Sequence, residues 1–232
     1  MAEKRKVALV SITINAVAPI TEYIQKHVPE FQPVNYLDGY LMEKVRKEGG
    51  ISDASMGRMT RMLATACEDG CEGIIITCTV FSPYQPALQQ LFSVPVICAD
   101  AAMLDRLAVC PGRTAIICTF EGTVDVTRNS YYKYRRLHNM PEEVDMYPVP
   151  AAFQAAQQGD METCNRLIAE KMKELDEQYD QIALAQISMA GAADLAELRH
   201  AKLFTSPQCA IEQLENALKQ QKKNAPDRKE AR

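Results

Sequence analysis

The stretch Gly73–Leu91, GIIITCTVFSPYQPALQQL, decides the predicted fold. Its β-branched run, Ile74–Thr77, is typical of a buried strand. Ser82 and Pro83 then predict the start of a helix, with serine as the N-cap and proline in the first turn. The order strand, polar turn and helix places Cys78 at the carboxyl end of a strand and close to a helix N-terminus.

The position of Cys78 has two interpretations. Open α/β sheets bind ligands beyond the carboxyl ends of their strands. Backbone N–H groups at a helix N-terminus can also stabilise a thiolate or a substrate carboxylate. Most free cysteines, however, behave as small buried hydrophobic side chains. Position alone leaves both interpretations open.

Composition excludes several classes of protein. The chain has 232 residues and a net charge of −4, which argues against a nucleic-acid-binding protein. No apolar run approaches the ~20 residues of a membrane helix. The N-terminal MAEKRKVALVSIT has a basic start, but its short apolar part is typical of a first strand rather than a signal peptide. We therefore expect a cytoplasmic protein that binds neither nucleic acid nor membrane.

Eight cysteines could suggest disulfides or zinc. A cytoplasmic setting disfavours disulfides. Cys67 and Cys71 are four residues apart, with no second close pair and no histidine nearby, so we expect no metal site. The eight cysteines are Cys67, Cys71, Cys78, Cys98, Cys110, Cys118, Cys164 and Cys209, and most of these thiols are expected to fill the core.

Strand and helix patterns alternate along the whole chain. The predicted strands are Val7–Ile12, Val34–Leu37, Ile74–Thr77, Val94–Cys98, Thr114–Cys118, Val144–Val149, Ile182–Ala185 and Lys202–Thr205. Asp38-Gly39 is expected to be a turn. The predicted helices are Pro19–His27, one capped by Ser52 or Asp53 and ended by Gly70, one from Ser82-Pro83, Ala101–Ala108, Asp125–Asn139, one capped by Asp160, Ala190–Leu198, and one from Ser206-Pro207 that frays after Lys219.

The second half of this series repeats the first. The passage IIITC…LQQLFSVPVICADAAMLDRL resembles IALAQ…LAELRHAKLFTSPQCAIEQL, and VALVSIT resembles TAIICTF. A shift of 108 positions places Cys78 on Gln186, and a shift of 107 aligns the strands and helices that follow. This predicts an α/β protein of two pseudo-symmetric Rossmann-like halves, each a mostly parallel sheet flanked by helices. The first half is expected to comprise residues 1–100 plus 206–232, and the second residues 101–205.

The predicted active site is the crevice where the strand ends of the two halves face one another. Four loops would meet there: Ser11–Asn15, Cys78–Ser82, Thr119–Thr123 and Gln186–Met189.

The paired halves, the strand ending in Cys78-Thr79 and the matching second strand end resemble the aspartate/glutamate racemase superfamily. That superfamily includes hydantoin racemases, maleate isomerases and arylmalonate decarboxylases. The loop from Thr119 to Thr123 resembles its substrate-carboxylate loop, and the resemblance spans about residues 6–218. It implies a cofactor-independent isomerase that acts at the α-carbon of a small carboxylate or amino acid, and it implies a homodimer.

Family members with full racemase activity carry one cysteine at each of two strand ends, on opposite faces of the substrate α-carbon. One thiolate removes the α-proton and the other thiol donates a proton. In this sequence the repeat places Gln186 where the second cysteine is expected. Glutamine does not exchange protons in water, although it can donate hydrogen bonds to a carboxylate or enolate oxygen. Ser188 and Cys118 are alternative second acids.

The resemblance gives each strand-end residue a role. Cys78 is the acid, base or nucleophile. Hydrogen bonds to substrate carboxylates would come from Thr79, Thr119 and Thr123. Gln186 and Ser188 would orient the opposite side of the substrate, and the pocket would be closed by Ser11, Thr13 and Asn15. Ordinary turn capping also explains the threonines and these first-loop residues.

A single thiol leaves several functions open. Cys78 could exchange a proton on one face in an isomerisation, or protonate the carbanion left by a decarboxylation. It could attack an alkene or carbonyl, as in maleate isomerases. The chain could also be a carboxylate-binding protein without catalysis. Hydrolysis by a Cys–His pair is not expected, since the histidines lie outside the predicted loops. These are His27, His138 and His200.

Overall fold

The computed structural model describes residues 4–119 and 121–224. The strands are β1 (Arg5–Ser11), β2 (Phe31–Leu37), β3 (Gly73–Ile76), β4 (Val96–Cys98), β5 (Thr114–Cys118), β6 (Asp145–Pro148), β7 (Gln181–Leu184) and β8 (Lys202–Thr205). The α-helices are α1 (Val17–His27), α2 (Gly39–Glu48), α3 (Asp53–Glu68), α4 (Gln85–Leu91), α5 (Ala99–Ala108), α6 (Val124–Leu137), α7 (Pro150–Gln157), α8 (Met161–Leu175) and α9 (Ser206–Asn224). Four 3-10 helices follow strand ends or precede helices: Ile14–Ala16, Thr79–Tyr84, Glu121–Thr123 and Ile187–Leu195.

The strands form two four-stranded sheets, with the orders β2-β1-β3-β4 and β6-β5-β7-β8. All the pairings are parallel. The two orders are the same when the second sheet is renumbered from its own first strand. The predicted fold class, two similar α/β halves, is therefore confirmed.

Strand register reproduces the internal repeat. In the first sheet Ile76 of β3 pairs with Val10 of β1, and in the second sheet Leu184 of β7 pairs with Ile117 of β5. Leu184 lies 108 positions after Ile76, which is the shift that the sequence repeat predicts. The strand-end loops of the two halves are therefore equivalent in three dimensions.

Side chains alternate along each buried strand between two apolar clusters. In β1, Val7 and Leu9 enter a central cluster, whereas Ala8 and Val10 face the other side of the sheet. The central cluster also takes side chains from β5, β7, α5 and α9. It therefore joins the two sheets through the helices between them.

Helix α9 packs on the first sheet. The side chain of Leu214 is fully buried and lies so close to Gly73 of β3 that a Cβ there would be 2.5 Å from Leu214 Cδ1. Close packing against Leu214 therefore favours glycine at this point. The division of the chain into residues 1–100 plus 206–232 and residues 101–205 stays a prediction.

Some predicted elements need correction. Ser82 does not cap an α-helix, because it lies with Pro83 inside the 3-10 helix Thr79–Tyr84, and α4 begins only at Gln85. The predicted helix Ala190–Leu198 is a 3-10 helix at Ile187–Leu195. Both segments directly follow a strand, and 3-10 turns are frequent as connectors and at helix ends. The predicted fraying after Lys219 is wrong up to Asn224, where α9 ends, and residues 225–232 lie outside the described part.

Two helices have no counterpart among the predicted elements. Asp38 is not a simple turn residue, because its carboxylate accepts hydrogen bonds from the N–H groups of Tyr40 and Leu41 and caps α2. Helix α7 begins at Pro150, where a proline in the first turn suits a helix start. No helix in the described ranges is long and apolar enough to cross a membrane.

Candidate active site

Hydrogen bonds between side chains tie together the ends of β1 and β3. The Thr77 hydroxyl donates to Ser11 Oγ at 2.9 Å, and both side chains are buried. Ser11 therefore helps to hold the ends of β1 and β3 together, and it does not line an open pocket. Thr13 is half-buried at the start of the next 3-10 helix, without a side-chain capping bond.

Cys78 is half-buried and caps the 3-10 helix that follows β3, in an extended conformation with φ −112° and ψ 120°. Burial raises the pKa of its thiol to about 11, and the charge of Asp100 adds to this shift. A hydrogen bond from the backbone N–H of Val80 acts in the opposite direction, because it stabilises the thiolate. Thr79 is the next residue and is exposed.

The ends of β5 and β7 are joined by Thr119 and Gln186. Both the backbone N–H and the hydroxyl of Thr119 donate to Gln186 Oε1, at 3.0 and 2.9 Å. A backbone N–H can only donate, so this contact fixes the amide oxygen on the Thr119 side and turns Nε2 away from it. The structure thus orients Gln186 so that its amino group can donate elsewhere.

Cys118 is fully buried at the end of β5. Burial raises the pKa of its thiol to about 11, and hydrogen bonds from Thr123 and Thr127 partly offset this effect. Such burial does not suit a second acid in contact with a substrate. Among the described residues, no group of three or more His, Cys, Asp or Glu is placed to hold a metal ion.

Two predicted site residues, Asn15 and Ser188, lie in one cavity of about 1030 Å³. The cavity lies between α1 and the 3-10 helix Ile187–Leu195, where the first-half and second-half loops approach each other. Lys26 and Asp194 form an ion pair of 2.8 Å across the same junction. The lining residues of this cavity do not include Cys78, Thr119 or Gln186. The predicted site residues therefore form separate groups. Asn15 and Ser188 line this cavity, whereas Cys78, Thr119 and Gln186 do not.

One polar residue near Cys78, Asp100, was missed by sequence reasoning. Asp100, in the first turn of α5, is only 8% exposed and accepts a hydrogen bond of 2.5 Å from Ser82 Oγ. The sequence signal was a charged residue two positions after the apolar strand that ends at Cys98, inside an otherwise apolar helix start.

Comparison with known proteins finds a family similar to the first part of the chain. Residues 1–107 match the family model described as Asp/Glu/Hydantoin racemase. In sequence, no curated protein matches significantly.

Solved structures match over nearly the whole chain. An aspartate racemase from Picrophilus torridus is similar with a TM-score of 0.64 and 11% identity, over 93% of this chain and 94% of that chain. A glutamate racemase from Francisella tularensis, in complex with D-glutamate, is similar with a TM-score of 0.63 and 16% identity, over 95% and 83%. Allantoin racemase from Klebsiella pneumoniae is similar with a TM-score of 0.60 and 16% identity, over 94% and 89%.

Proposed function

We propose that this chain is a cofactor-independent isomerase of the aspartate/glutamate racemase superfamily. The proposal is supported by the match of residues 1–107 to the racemase family model and by the shared fold. At the level of the superfamily, the matches support an isomerase or racemase. The finer proposal is that Cys78 is the acid/base and that the substrate is a small carboxylate or amino acid. The observation that carries it is Cys78 itself, half-buried at a strand end with the Val80 N–H directed at its sulfur.

The proposed reaction begins at the substrate α-carbon. Removing an α-proton leaves negative charge on the neighbouring carboxylate or carbonyl oxygens, and oriented donors stabilise that charge best. Gln186 Nε2 is the donor that we assign to those oxygens. Thr119 acts through Gln186 as a positioning residue, because both its donors are already directed at Oε1. The exposed Thr79 and half-buried Thr123 remain proposed donors to a substrate carboxylate.

One thiol limits the stereochemistry. Racemisation needs a proton donor on the face opposite to the base, and an amide does not exchange protons in water. A single thiol can remove and return a proton on one face, which moves a double bond or exchanges the α-hydrogen. We therefore propose an isomerisation or one-face proton exchange. Ser188, Thr13 and Asn15 remain proposed pocket residues, and Ser11 supports the strand end through Thr77.

The raised pKa of Cys78 favours a second candidate, a decarboxylase of the same superfamily. A thiol with a pKa of about 11 is protonated at neutral pH, so it is ready to donate a proton to a carbanion. To act as a base it must first lose its proton to solvent, which the raised pKa of the thiol disfavours at neutral pH.

We also propose that the chain forms a homodimer in the cytoplasm and binds neither nucleic acid nor membrane. Light scattering after size-exclusion chromatography tests the dimer.

The test is incubation in D2O with aspartate, glutamate, allantoin, maleate and substituted malonates. Proton NMR follows hydrogen exchange and isomerisation, polarimetry follows racemisation, and a coupled assay follows CO2. We expect α-hydrogen exchange or isomerisation with at least one substrate. Release of CO2 alone would support the decarboxylase. If every substrate binds in calorimetry without reacting, the chain is a carboxylate-binding protein and the enzyme proposal fails for these compounds.

A further inference from the structure

The side-chain oxygen of Asn165, on α8, is buried without a hydrogen-bond partner. In the described ranges, Asn165 Oδ1 is the one buried side-chain nitrogen or oxygen that takes part in no hydrogen bond. A buried acceptor of this kind costs free energy in the folded protein, so its presence needs a reason. Asn165 also lines the cavity of about 1030 Å³ between α1 and the 3-10 helix Ile187–Leu195. A molecule in that cavity could therefore supply the missing donor.

Gly191 allows this side chain to lie where it does. A Cβ at Gly191 would be 2.8 Å from Asn165 Nδ2 and 3.4 Å from Asn165 Cγ. The amide therefore rests directly on the backbone of the 3-10 helix, at a position where a larger residue would displace it. Close approach of α8 to this 3-10 helix thus holds the amide at the cavity wall.

Thr205 supplies a second polar side chain at the same wall. It ends β8, where it pairs with Leu184 of β7, and it is 5% exposed. Side chains alternate along a strand, so Phe204 enters the central cluster, whereas Leu203 and Thr205 both line the cavity. A hydroxyl can both donate and accept, so Thr205 complements the acceptor of Asn165.

Apolar side chains form other parts of the wall. Ile14 is 68% exposed and Met161 is 37% exposed, and both line the cavity together with Leu203. Ligand sites in proteins are concave, largely apolar and fitted with a few polar groups, with volumes of about 300–1,000 Å³. This cavity has that composition, and its volume lies near the upper end of the range.

The charges at the cavity favour a ligand that donates hydrogen bonds. Among the described residues that line it, Lys26 is the only lysine or arginine, and its Nζ is already paired with Asp194 at 2.8 Å. Glu22 adds a second carboxylate to the wall. A carboxylate or phosphate ligand would therefore find its cation engaged, whereas an amide or ammonium group matches the available acceptors.

We propose that this cavity binds a small molecule that carries an N–H donor, as in an amide or an amine, and that this group donates to Asn165 Oδ1. The Thr205 hydroxyl offers a second hydrogen bond, and the apolar wall accommodates a hydrocarbon part. The site is separate from the thiol, because Cys78 is not among the residues that line the cavity. The inference therefore does not rest on the proposed function.

The experiment compares three probes of similar shape: isobutyramide, isobutylamine and isobutyrate. Saturation-transfer NMR on the full chain detects which of them binds. We expect transfer to the amide, to the amine or to both, because each has N–H donors, and the responding compound identifies the source of the donor. Isobutyrate has acceptors only and should receive much less transfer.

Variants assign the binding to the cavity. Asn165→Leu removes the acceptor and should lower the transfer roughly fivefold, as expected for the loss of one hydrogen bond. Asn129→Leu is the matched control, the same exchange at an exposed position of α6 outside the cavity lining, and it should leave the transfer unchanged. Gly191→Ala keeps the asparagine but displaces its amide, so it should also weaken binding.

The inference would be overturned by the absence of transfer to both N–H compounds, by equal transfer to isobutyrate, or by unchanged transfer in folded Asn165→Leu protein. If Asn165→Leu does not fold, Gly191→Ala decides, and unchanged binding in that variant rejects the proposal. Cys78→Ser should bind the probes as the parent does. Loss of binding in Cys78→Ser would instead locate the probe at the thiol and would also overturn the inference. These results are independent of whether any substrate in the D2O experiment reacts.

Discussion

Cys78 and Gln186 occupy the same place in the two sheets. Each lies two residues beyond the last pairing between the central strands, Val10 with Ile76 and Ile117 with Leu184. Each caps the 3-10 helix that follows, with φ and ψ of −112° and 120° for Cys78 and −116° and 141° for Gln186. Because the backbones match, the difference between the two strand ends lies in their side chains, a thiol and an amide.

This equivalence predicts the effect of Gln186→Cys. A thiol at that position supplies the proton donor that the opposite face lacks, so we expect a compound that only exchanges its α-hydrogen in the parent to lose optical activity in the variant. Polarimetry and chiral chromatography measure the change.

Gln186→Ser is the matched control, since it removes the amide without adding a thiol. It should not racemise the substrate. Racemisation by both variants, or by neither variant while both still exchange hydrogen, would contradict the assigned positions.

Replacing Cys78 tests the acid/base. A positioned acid or base contributes about 100- to 10,000-fold to a rate. Cys78→Ser should therefore lower α-hydrogen exchange or isomerisation by that range, with little change in substrate binding. Cys67→Ser, at a half-buried thiol on α3, is the control and should keep the parent rate. An active Cys78→Ser enzyme would remove Cys78 from the reaction.

Much of the fold could be predicted because periodicity is strong in buried strands. The strands Thr114–Cys118 and Lys202–Thr205 were predicted with their observed bounds, and the other six strands were located within a few residues. Helix α2 was missed because Asp38-Gly39 has turn composition. The Asp38 side chain satisfies two N–H groups, and this capping bond is visible only in three dimensions.

The site was harder to predict than the fold. The repeat indicated Cys78 and Gln186, since both follow recognisable strands. It could not indicate that Asp100 of α5 accepts a hydrogen bond from Ser82 in the segment after Cys78, because that contact joins residues distant in the sequence. Nor does the sequence show that the backbone N–H and the hydroxyl of Thr119 both donate to Gln186. This contact changes the proposed role of Thr119 from binding the substrate to positioning Gln186.

Thr119→Val tests that positioning role. It removes the 2.9 Å hydroxyl bond to Gln186 Oε1 and leaves the backbone bond. One hydrogen bond contributes about 1 kcal/mol, so we expect a loss of roughly fivefold in kcat/KM. The double variant Thr119→Val/Gln186→Ala should be no worse than Gln186→Ala alone, because Thr119 acts through Gln186. Additive losses would instead indicate direct contact between Thr119 and the substrate.

Gly73→Ala tests the packing of α9 on the first sheet. The added methyl group would lie 2.5 Å from Leu214 Cδ1, in a fully buried environment. Overpacking of this kind costs about 1–3 kcal/mol in the free energy of unfolding, which urea denaturation measures. Gly39→Ala is the control, since nothing lies within 4 Å of a Cβ there, and it should be neutral or slightly stabilising.

The carboxylate of Asp176 caps the turn before β8. It accepts hydrogen bonds from the backbone N–H groups of Arg199 at 2.7 Å, His200 at 3.1 Å and Ala201 at 2.7 Å. Burial by itself raises the pKa of Asp176, but these bonds outweigh it and lower the pKa below its ordinary value of 3.8. The stabilisation is therefore fully present above the unfolded-state pKa and is lost as the pH falls through the lower folded-state pKa.

Asp176→Asn should accordingly destabilise the protein by about 1–3 kcal/mol at pH 7, because hydrogen bonds to a charged acceptor are worth more than those to an amide. Urea denaturation at pH 7, 5 and 3.5 should show the difference between variant and parent shrinking toward the lowest pH. Glu177→Gln is the control, as an exposed neighbour whose neutralisation should have little effect. A difference that stays constant with pH would show that the Asp176 charge does not hold this turn.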